Sequence, residues 1–457
     1  MNCRRWLMVI IVLQCYPSLV WGDEFRLVPA ASIEQQYNSN ILLSTDPLIV
    51  TPSGKGDFVT IVSLGADMVE RTERLDTDLL VRFDKLIYAN HGDLNDTNQT
   101  YSGRARYQVT PQLGISCEAA YTKNYNPTLN IIPLPGLPPG LYPIQPFPPL
   151  PGEPGGPGGP GGPGTGPGTP SPTAGAFLEA VPWRHITALL AANYQVDETT
   201  SATISYSYGN DYYYNNPNYQ NDSSQNVTAV VTHDFSQYLP YLKGWLNLNY
   251  NYYWLPDSRN NGISGTVGFS WDFNELWSIS SSIGATLQRS ELFVTQFIPI
   301  PPGLILVARE TLNNSGWSGV GGVSLNYKGE YMNGSLTYNK GITLASGLNG
   351  AAVSDSIVLQ AGYSLTREWS TALTAAYQTY RSDTSNLNLS TNNVNYQTFF
   401  ISTGVRYMLP EFLRAGTGRT SLEAFYGYNV NHDSVSHTKA DRNLFTVRLH
   451  VEYPFFE

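Results

Sequence analysis

Charged side chains in this chain recur at alternate positions: Asp76, Asp78, Arg82 and Asp84 in one run, Arg104 and Arg106 in the next, and Glu118 soon after. A second group, Arg406, Arg419, Glu423, Arg448, His450 and Glu452, lies near the C-terminus. Residues two apart on an extended strand share a face, and neighbouring strands lie about 4.8 Å apart. Acids and bases spaced this way can pair across strands, or line a wet path with both signs of charge. They do not form a set for acid–base or nucleophilic chemistry. His91, His432 and His437 fall in expected loops, His185 and His450 on strands, and His233 near a turn. No Ser-His-acid order, His-Glu-x-x-His or ordered calcium loop is present. The adjacent His432, Asp433 and Ser434 do not make a positioned relay. Beyond the first 22 residues only Cys117 remains, which excludes a disulfide framework, a multi-cysteine metal centre and covalent haem. The expectation is a protein that is not an enzyme and carries no cofactor or metal.

The elements that hold these charges are strands. The clearest runs Ala202-Thr203-Ile204-Ser205-Tyr206-Ser207-Tyr208, apolar or aromatic on one side and small and polar on the other. A period of two gives a strand two environments. A soluble sandwich would bury the apolar face, whereas a transmembrane barrel turns it to lipid and keeps the polar face around a wet interior. Charge is sparse (14% Asp, Glu, Lys and Arg) and the chain holds 31 tyrosines, which suits lipid-facing strands flanked by aromatic girdles. With 36 Asp and Glu against 26 Lys and Arg, the balance disfavours nucleic acid as a partner.

The first 22 residues read as a cleavable signal peptide. Arg4 and Arg5 supply the positive region, Trp6 to Leu13 the apolar stretch, and Val20-Trp21-Gly22 the cleavage site. The apolar stretch is too short to cross a bilayer of about 30 Å. Export together with two-sided strands predicts the outer membrane of a Gram-negative cell.

Alternation places strands near 26–38, 57–70, 74–87, 97–110, 112–125, 180–194, 199–210, 223–235, 240–254, 260–272, 275–289, 314–327, 330–342, 353–367, 369–382, 395–409, 412–429 and 441–455. The predicted fold is therefore all-β: a single-chain antiparallel transmembrane β-barrel over 23–457, of about eighteen strands, with both termini periplasmic. Sixteen is the alternative, because Pro29 and Gln35 weaken the first strand. Tight turns such as Thr110-Pro111-Gln112 and Leu409-Pro410-Glu411 would face the periplasm, and long connections such as 39–56 and 290–313 the exterior.

The last strand fixes the parity. Phe445, Val447, Leu449, Val451 and Tyr453 share one face; Thr446, Arg448, His450 and Glu452 share the other. Arginine near the bilayer midplane costs roughly 2–4 kcal/mol on the lipid face, so the charged set must point inward. The same rule turns Asp76, Asp78, Arg82, Asp84, Arg104, Arg106 and Glu118 inward. Closing the cylinder sets the two charged groups side by side, either as a brace of paired ions or as a transverse field on the aqueous path. The middle strands differ. Lys243, Trp245, Asn247, Asn249 and Asn251, then Ser278, Ser280, Ser282 and Thr286, then Asn333, Ser335 and Thr337 make a wall of amides and hydroxyls suited to polyols.

One segment breaks the pattern. Residues 127–173 carry prolines up to Leu150, then Gly152, Gly155, Gly158, Gly161 and Gly164 at every third position. The composition predicts an extended polyproline-like extracellular loop within the barrel.

The chain resembles bacterial outer-membrane proteins in its end, since Tyr453, Phe455 and Phe456 match the aromatic signal that barrel-assembly machinery reads; Glu457 after the terminal Phe departs from it. Ser32-Ile33-Glu34-Gln35-Gln36-Tyr37-Asn38-Ser39-Asn40, Gly56-Asp57-Phe58-Val59-Thr60 and Gly65-Ala66 resemble outer-membrane barrels associated with exopolysaccharide or protein-sorting loci. The 127–173 segment departs from that group. The resemblance implies a porin-like channel for passive passage or guided export of polar solutes, including exopolysaccharide, with a periplasmic export partner. A second resemblance, to porin sheaths around multihaem cytochromes, implies a conduit whose partner is the cytochrome.

Overall fold

The computed structural model describes residues 24–41, 56–124, 183–213, 221–256, 258–300, 304–344, 351–382, 395–410, 419–433 and 438–453. The predicted signal at 1–22, the 127–173 segment, Phe455 and Phe456 lie outside the described residues.

Eighteen strands form one antiparallel sheet in chain order. They are β1 (Glu24–Asn38), β2 (Asp57–Arg71), β3 (Leu75–Tyr88), β4 (Thr97–Gln108), β5 (Leu113–Asn124), β6 (Trp183–Gln195), β7 (Thr200–Tyr213), β8 (Asp222–Asp234) and β9 (Leu242–Leu255). The second half comprises β10 (Ser258–Asp272), β11 (Trp277–Ile300), β12 (Leu304–Lys328), β13 (Met332–Leu344), β14 (Ala351–Ser364), β15 (Trp369–Ser382), β16 (Asn395–Met408), β17 (Arg419–Asp433) and β18 (Thr438–Glu452). β1 pairs with β2 on one side and with β18 on the other, from Ala30↔Glu452 to Asn38↔Leu444, so the sheet closes into a cylinder. Closure is what lipid demands, since each unsatisfied backbone group there costs several kcal/mol. Pro29 sits within β1 without ending it, and the count is eighteen rather than sixteen.

The alternation sorts as the sequence predicts. Ile33, Leu64, Val81, Leu190, Ile204, Leu248, Val267, Ile283, Phe445 and Leu449 are exposed on the outer face, while the intervening polar residues turn in. Aromatics gather near both ends of the outer face. Tyr107, Tyr194, Trp277, Trp369 and Tyr453 stand by the short turns; Tyr37, Phe58, Tyr212, Tyr250 and Trp254 stand by the long loops. Outward charges such as Arg259, Lys340 and Arg381 mark the polar border on the long-loop side.

Side-chain oxygens build the short turns. Thr72 accepts the Leu75 N–H at 2.9 Å, Asn274 those of Leu276 and Trp277 at 2.9 and 2.8 Å, and Thr366 that of Trp369 at 3.0 Å. Asp197 accepts from Thr199 and Thr200, and the Thr199 hydroxyl leads in holding its carboxyl below the usual range. These oxygens satisfy amides that the reversal leaves without ladder partners.

Two expectations are corrected. The 290–313 connection is not a loop, because β11 and β12 stay paired to Ile300↔Leu304. The ladder runs on through Phe293↔Thr311 and Thr295↔Arg309. The last turn is longer than Leu409-Pro410-Glu411: β17 starts at Arg419 instead of 412, and its register is set by Glu423↔Arg448 and Leu422↔Leu449. The lengthened hairpin also leaves a notch. The β12–β13 ladder ends at Gly321↔Lys340 although both strands continue, and a methyl group added at Gly316 or Gly319 would meet nothing within 4 Å. It begins at the level of outward Lys340, where headgroups and water can satisfy the freed amides.

Candidate functional site

The interior has two contrasting arcs. The first is centred on the closure seam, where the N- and C-terminal strands meet. Arg406 on β16 donates from Nε to Glu423 on β17 at 2.6 Å. Glu423 also lies 3.6 Å from Arg448 on β18, and Arg448 lies 3.2 Å from Glu34 on β1. These Arg448 contacts are charge contacts without hydrogen-bond alignment. Further round, Arg82 on β3 donates to Asp84 at 2.7 Å and reaches Ser63 on β2 at 3.5 Å. The row thus crosses six consecutive strands, β16 to β18 and β1 to β3. Its centre is dry: the Arg448, Glu423 and Glu34 side chains are 3, 2 and 9% exposed. Gln36 donates to Thr446 across the same seam at 3.4 Å. Phe425 lies over Gly404, where any side chain would clash, and the Arg448 guanidinium sits 5.8 Å from the Phe425 ring centre.

The remaining charges of the predicted strip divide. Arg104 bonds Asp78 on β3, rather than its register neighbour Glu118 on β5. Asp76 lies 3.8 Å from Arg71, and His450 lies 2.8 Å from Glu452. Arg106, Glu118 and Arg419 are exposed. Sequence reasoning missed Glu34 and Arg442, both buried on the inner face. Parity alone would have turned Arg442 inward, on the same face of β18 as Arg448. Glu34 gains its meaning only once β1 is laid against β18.

Near the long-loop end of this arc, an apolar cluster of Ile41, Val59, Ile61, Leu86 and Tyr88 covers the inner wall, with Leu94 packed against it. The β3–β4 connection is drawn onto the cluster by Asp57, whose carboxylate accepts the N–H groups of Phe58, Asn90 and His91 at 2.8, 2.9 and 3.0 Å. The His91 ring adds a contact at 2.9 Å. His91 therefore lies in a loop as expected, but as a buried anchor. A second pair, His185 on β6 and Asp211 on β7, lies at 2.6 Å on the inner face.

The second arc, β7 to β14, is built of amides and hydroxyls. Asn226 donates to Ser207 at 3.2 Å, Asn249 to Thr228 at 2.7 Å and Asn326 to Ser278 at 3.4 Å. Ser324 and Thr337 share a bond of 2.9 Å, and Ser335 donates to Gln360 at 3.3 Å. Lys243, Trp245, Asn247, Asn251, Ser280, Ser282, Thr286 and Asn333 all take the inward parity. Of the tyrosines expected at the interface, Tyr206, Tyr208, Tyr212, Tyr250 and Tyr252 have the outward parity, whereas Tyr213 and Tyr253 have the inward one. Among the described residues no group of three or more His, Cys, Asp or Glu could hold a metal ion.

An apolar exterior, two aromatic girdles and a polar interior leave one environment for this fold. The chain is an outer-membrane β-barrel.

No family model matches it, and no curated protein matches it. Solved barrels are similar in architecture. OccAB4 of Acinetobacter baumannii is 10% identical with a TM-score of 0.45, over 96% of this chain and 100% of that one. OccK2 of Pseudomonas aeruginosa, solved in complex with glucuronate, is 10% identical with a TM-score of 0.42, over 95% and 99%. The ferric-catecholate import receptor Fiu of E. coli K12 is 8% identical with a TM-score of 0.44, over 94% and 82%.

Proposed function

We propose that the barrel lets small polar solutes cross the outer membrane passively through its lumen. The observation that supports this reading is the amide- and hydroxyl-rich arc from β7 to β14, whose side chains can exchange hydrogen bonds with a passing solute at little desolvation cost. A barrel of eighteen strands is in the size range that leaves an aqueous lumen. In this reading the short-turn rim and both termini face the periplasm, residues 1–22 are removed on export, and the 127–173 segment extends from the outer rim. Tyr453, Phe455 and Phe456 present the chain to the barrel-assembly machinery. The charged strip around Asp78, Arg104 and Arg106 gives the path a transverse field, and the seam row around Glu423 and Arg448 acts as the brace. Guided export of a polysaccharide with a periplasmic partner is the finer form of the same reading.

Planar-bilayer recording tests it. The full-length protein should give stable open-channel currents, and deleting 127–173 should raise them if that segment overlies the mouth. Silence in both forms, with co-purification of a haem protein, would replace the channel by a cytochrome sheath.

A further inference from the structure

The outer face carries a charge asymmetry that the lumen does not explain. Every described lysine and arginine with the outward parity on a strand stands at the long-loop end, among them Lys85, Arg259, Arg289, Lys340 and Arg381; the short-turn end has none. The chain as a whole is acidic, at −10, so this rim runs against its composition. Two of the rim's bases have an acid at hand: Lys123 bonds Asp96 at 3.1 Å, and Lys340 stands in register with Asp355. At one place, on β10 and β11, two arginines stand together.

Register fixes the height of that pair. On β9 to β12 the outward residues form rows across the strands, and Tyr250, Ile263, Leu287 and Trp317 make an apolar one. The next row, about 6.8 Å nearer the long loops, is Tyr252, Asn261, Arg289 and Ser315. Trp254, Arg259, Glu291 and Asn313 follow. The apolar band therefore ends at Ile263 and Leu287, and the arginines occupy the first two polar rows above it.

Arg259 and Arg289 are diagonal neighbours on adjacent strands, about 7–8 Å apart. Both are exposed. Arg259 packs over the Phe293 ring at 5.3 Å, and Arg289 reaches Glu291 only at 3.6 Å. One loosely held carboxylate stands against two guanidinium groups, so the patch keeps a net positive charge. Its β12 flank is open, because the β13 ladder has ended at Gly321 and a methyl group added at Gly319 would meet nothing within 4 Å. Trp317, 73% exposed, lies in the apolar row beneath that flank.

Two guanidinium forks at this spacing match the oxygens of one phosphate. The height selects the source: a phosphate in the first polar rows above a lipid-facing band belongs to a headgroup whose chains lie along Ile263, Leu287 and Trp317. We propose that the Arg259–Arg289 patch is a binding site for the phosphate headgroup of an anionic membrane lipid in the leaflet at the long-loop rim. The site requires the barrel in a membrane and is independent of whether the lumen conducts.

Native mass spectrometry of the full-length protein released from detergent micelles tests the site, with phosphatidic acid, diacylglycerol of the same chains and inorganic phosphate as probes. Phosphatidic acid should add in a saturable first step and diacylglycerol should not, while inorganic phosphate at equal concentration should not displace the lipid. Arg259→Gln and Arg289→Gln should each weaken that first addition roughly fivefold, the worth of one basic side chain at an anionic membrane surface, and the double variant by more than about tenfold. Lys439→Gln, which removes an outward base from the same rim on β18, should leave it unchanged. Retained heat-modifiable mobility on gels confirms that each variant is folded. No addition of phosphatidic acid, equal addition of diacylglycerol, or displacement by inorganic phosphate would each overturn the proposal. An equal loss in Lys439→Gln would overturn it too, by reducing the patch to diffuse surface charge.

Discussion

The seam arc and the amide-rich arc are made by the same backbone and face the same lumen, yet they solve opposite problems. At the seam, Arg406, Glu423, Arg448 and Glu34 offset one another's charge, and the central pair is almost fully buried. On the far side, neutral groups such as Asn249 with Thr228 and Ser324 with Thr337 bond one another across strands. Paired charges specify a register at a high desolvation cost; neutral amides and hydroxyls line a wall at a low one. The seam is where specification is most needed, because β1 and β18 are joined by no turn. Every other adjacent pair inherits its alignment from a connection, whereas this one must find its partner from opposite ends of the chain.

The comparison breaks first at Glu423. Glu423→Ala should leave Arg448 and Arg406 with Glu34 as the one acid of the row's centre, an excess of buried positive charge that should cost about 3–5 kcal/mol, read as a lowered thermal transition of the folded band on gels. An effect no larger than that of Ser335→Ala on the far arc would erase the distinction between the two walls. Next in size is a change of face on one strand. Leu336→Arg puts a charge on lipid and should cost roughly 2–4 kcal/mol with loss of assembled barrel, while Ser335→Arg beside it, facing the lumen, should assemble. Equal yields in the membrane fraction would contradict the parity. Thr446→Arg is a poorer partner for that test, since Thr446 is 1% exposed against Gln36 and has no room for the larger chain.

A smaller effect is expected at the loop anchor. Asp57→Ala strands the Asn90 and His91 amides, at roughly 1–3 kcal/mol for an orphaned buried group. Hydrogen exchange should then speed up over 89–95 and stay unchanged on β9. Smallest of all is Arg71→Ala. Its contacts to Glu24 and Asp76 are both 3.8 Å long and half exposed, so the expected loss is about 0–1 kcal/mol and falls with salt. For the proposed transverse field, neutralising Arg104 and Arg106 should move reversal potentials toward cation preference. Unchanged potentials with lowered thermal stability would assign those residues to the brace.

Much of this was legible in the sequence, and the reason is local. A strand's period of two cannot be evaded, so Arg448 and Val447 had to face opposite ways whatever their neighbours. The cost of charge in lipid then named the outward face. Strand ends were read less well where side chains competed with pairing. Residues 290–313 read as a loop but belong to the long β11–β12 hairpin, and Pro410 suggested a short turn where β17 begins nine residues later, at Arg419.

The sequence by itself determined the faces, the antiparallel order and the split between charged and uncharged strands, because each follows from alternation within one strand and from turns between neighbours. Tertiary structure alone decided who meets whom. Glu34 opposite Arg448, Arg104 on Asp78 instead of Glu118, and Asp57 holding the 88–96 connection inward all depend on register between strands. Register carries no local signature: a slip of two residues keeps every face correct and changes every partner. Only closure of the whole cylinder, with all eighteen ladders satisfied at once, selects one.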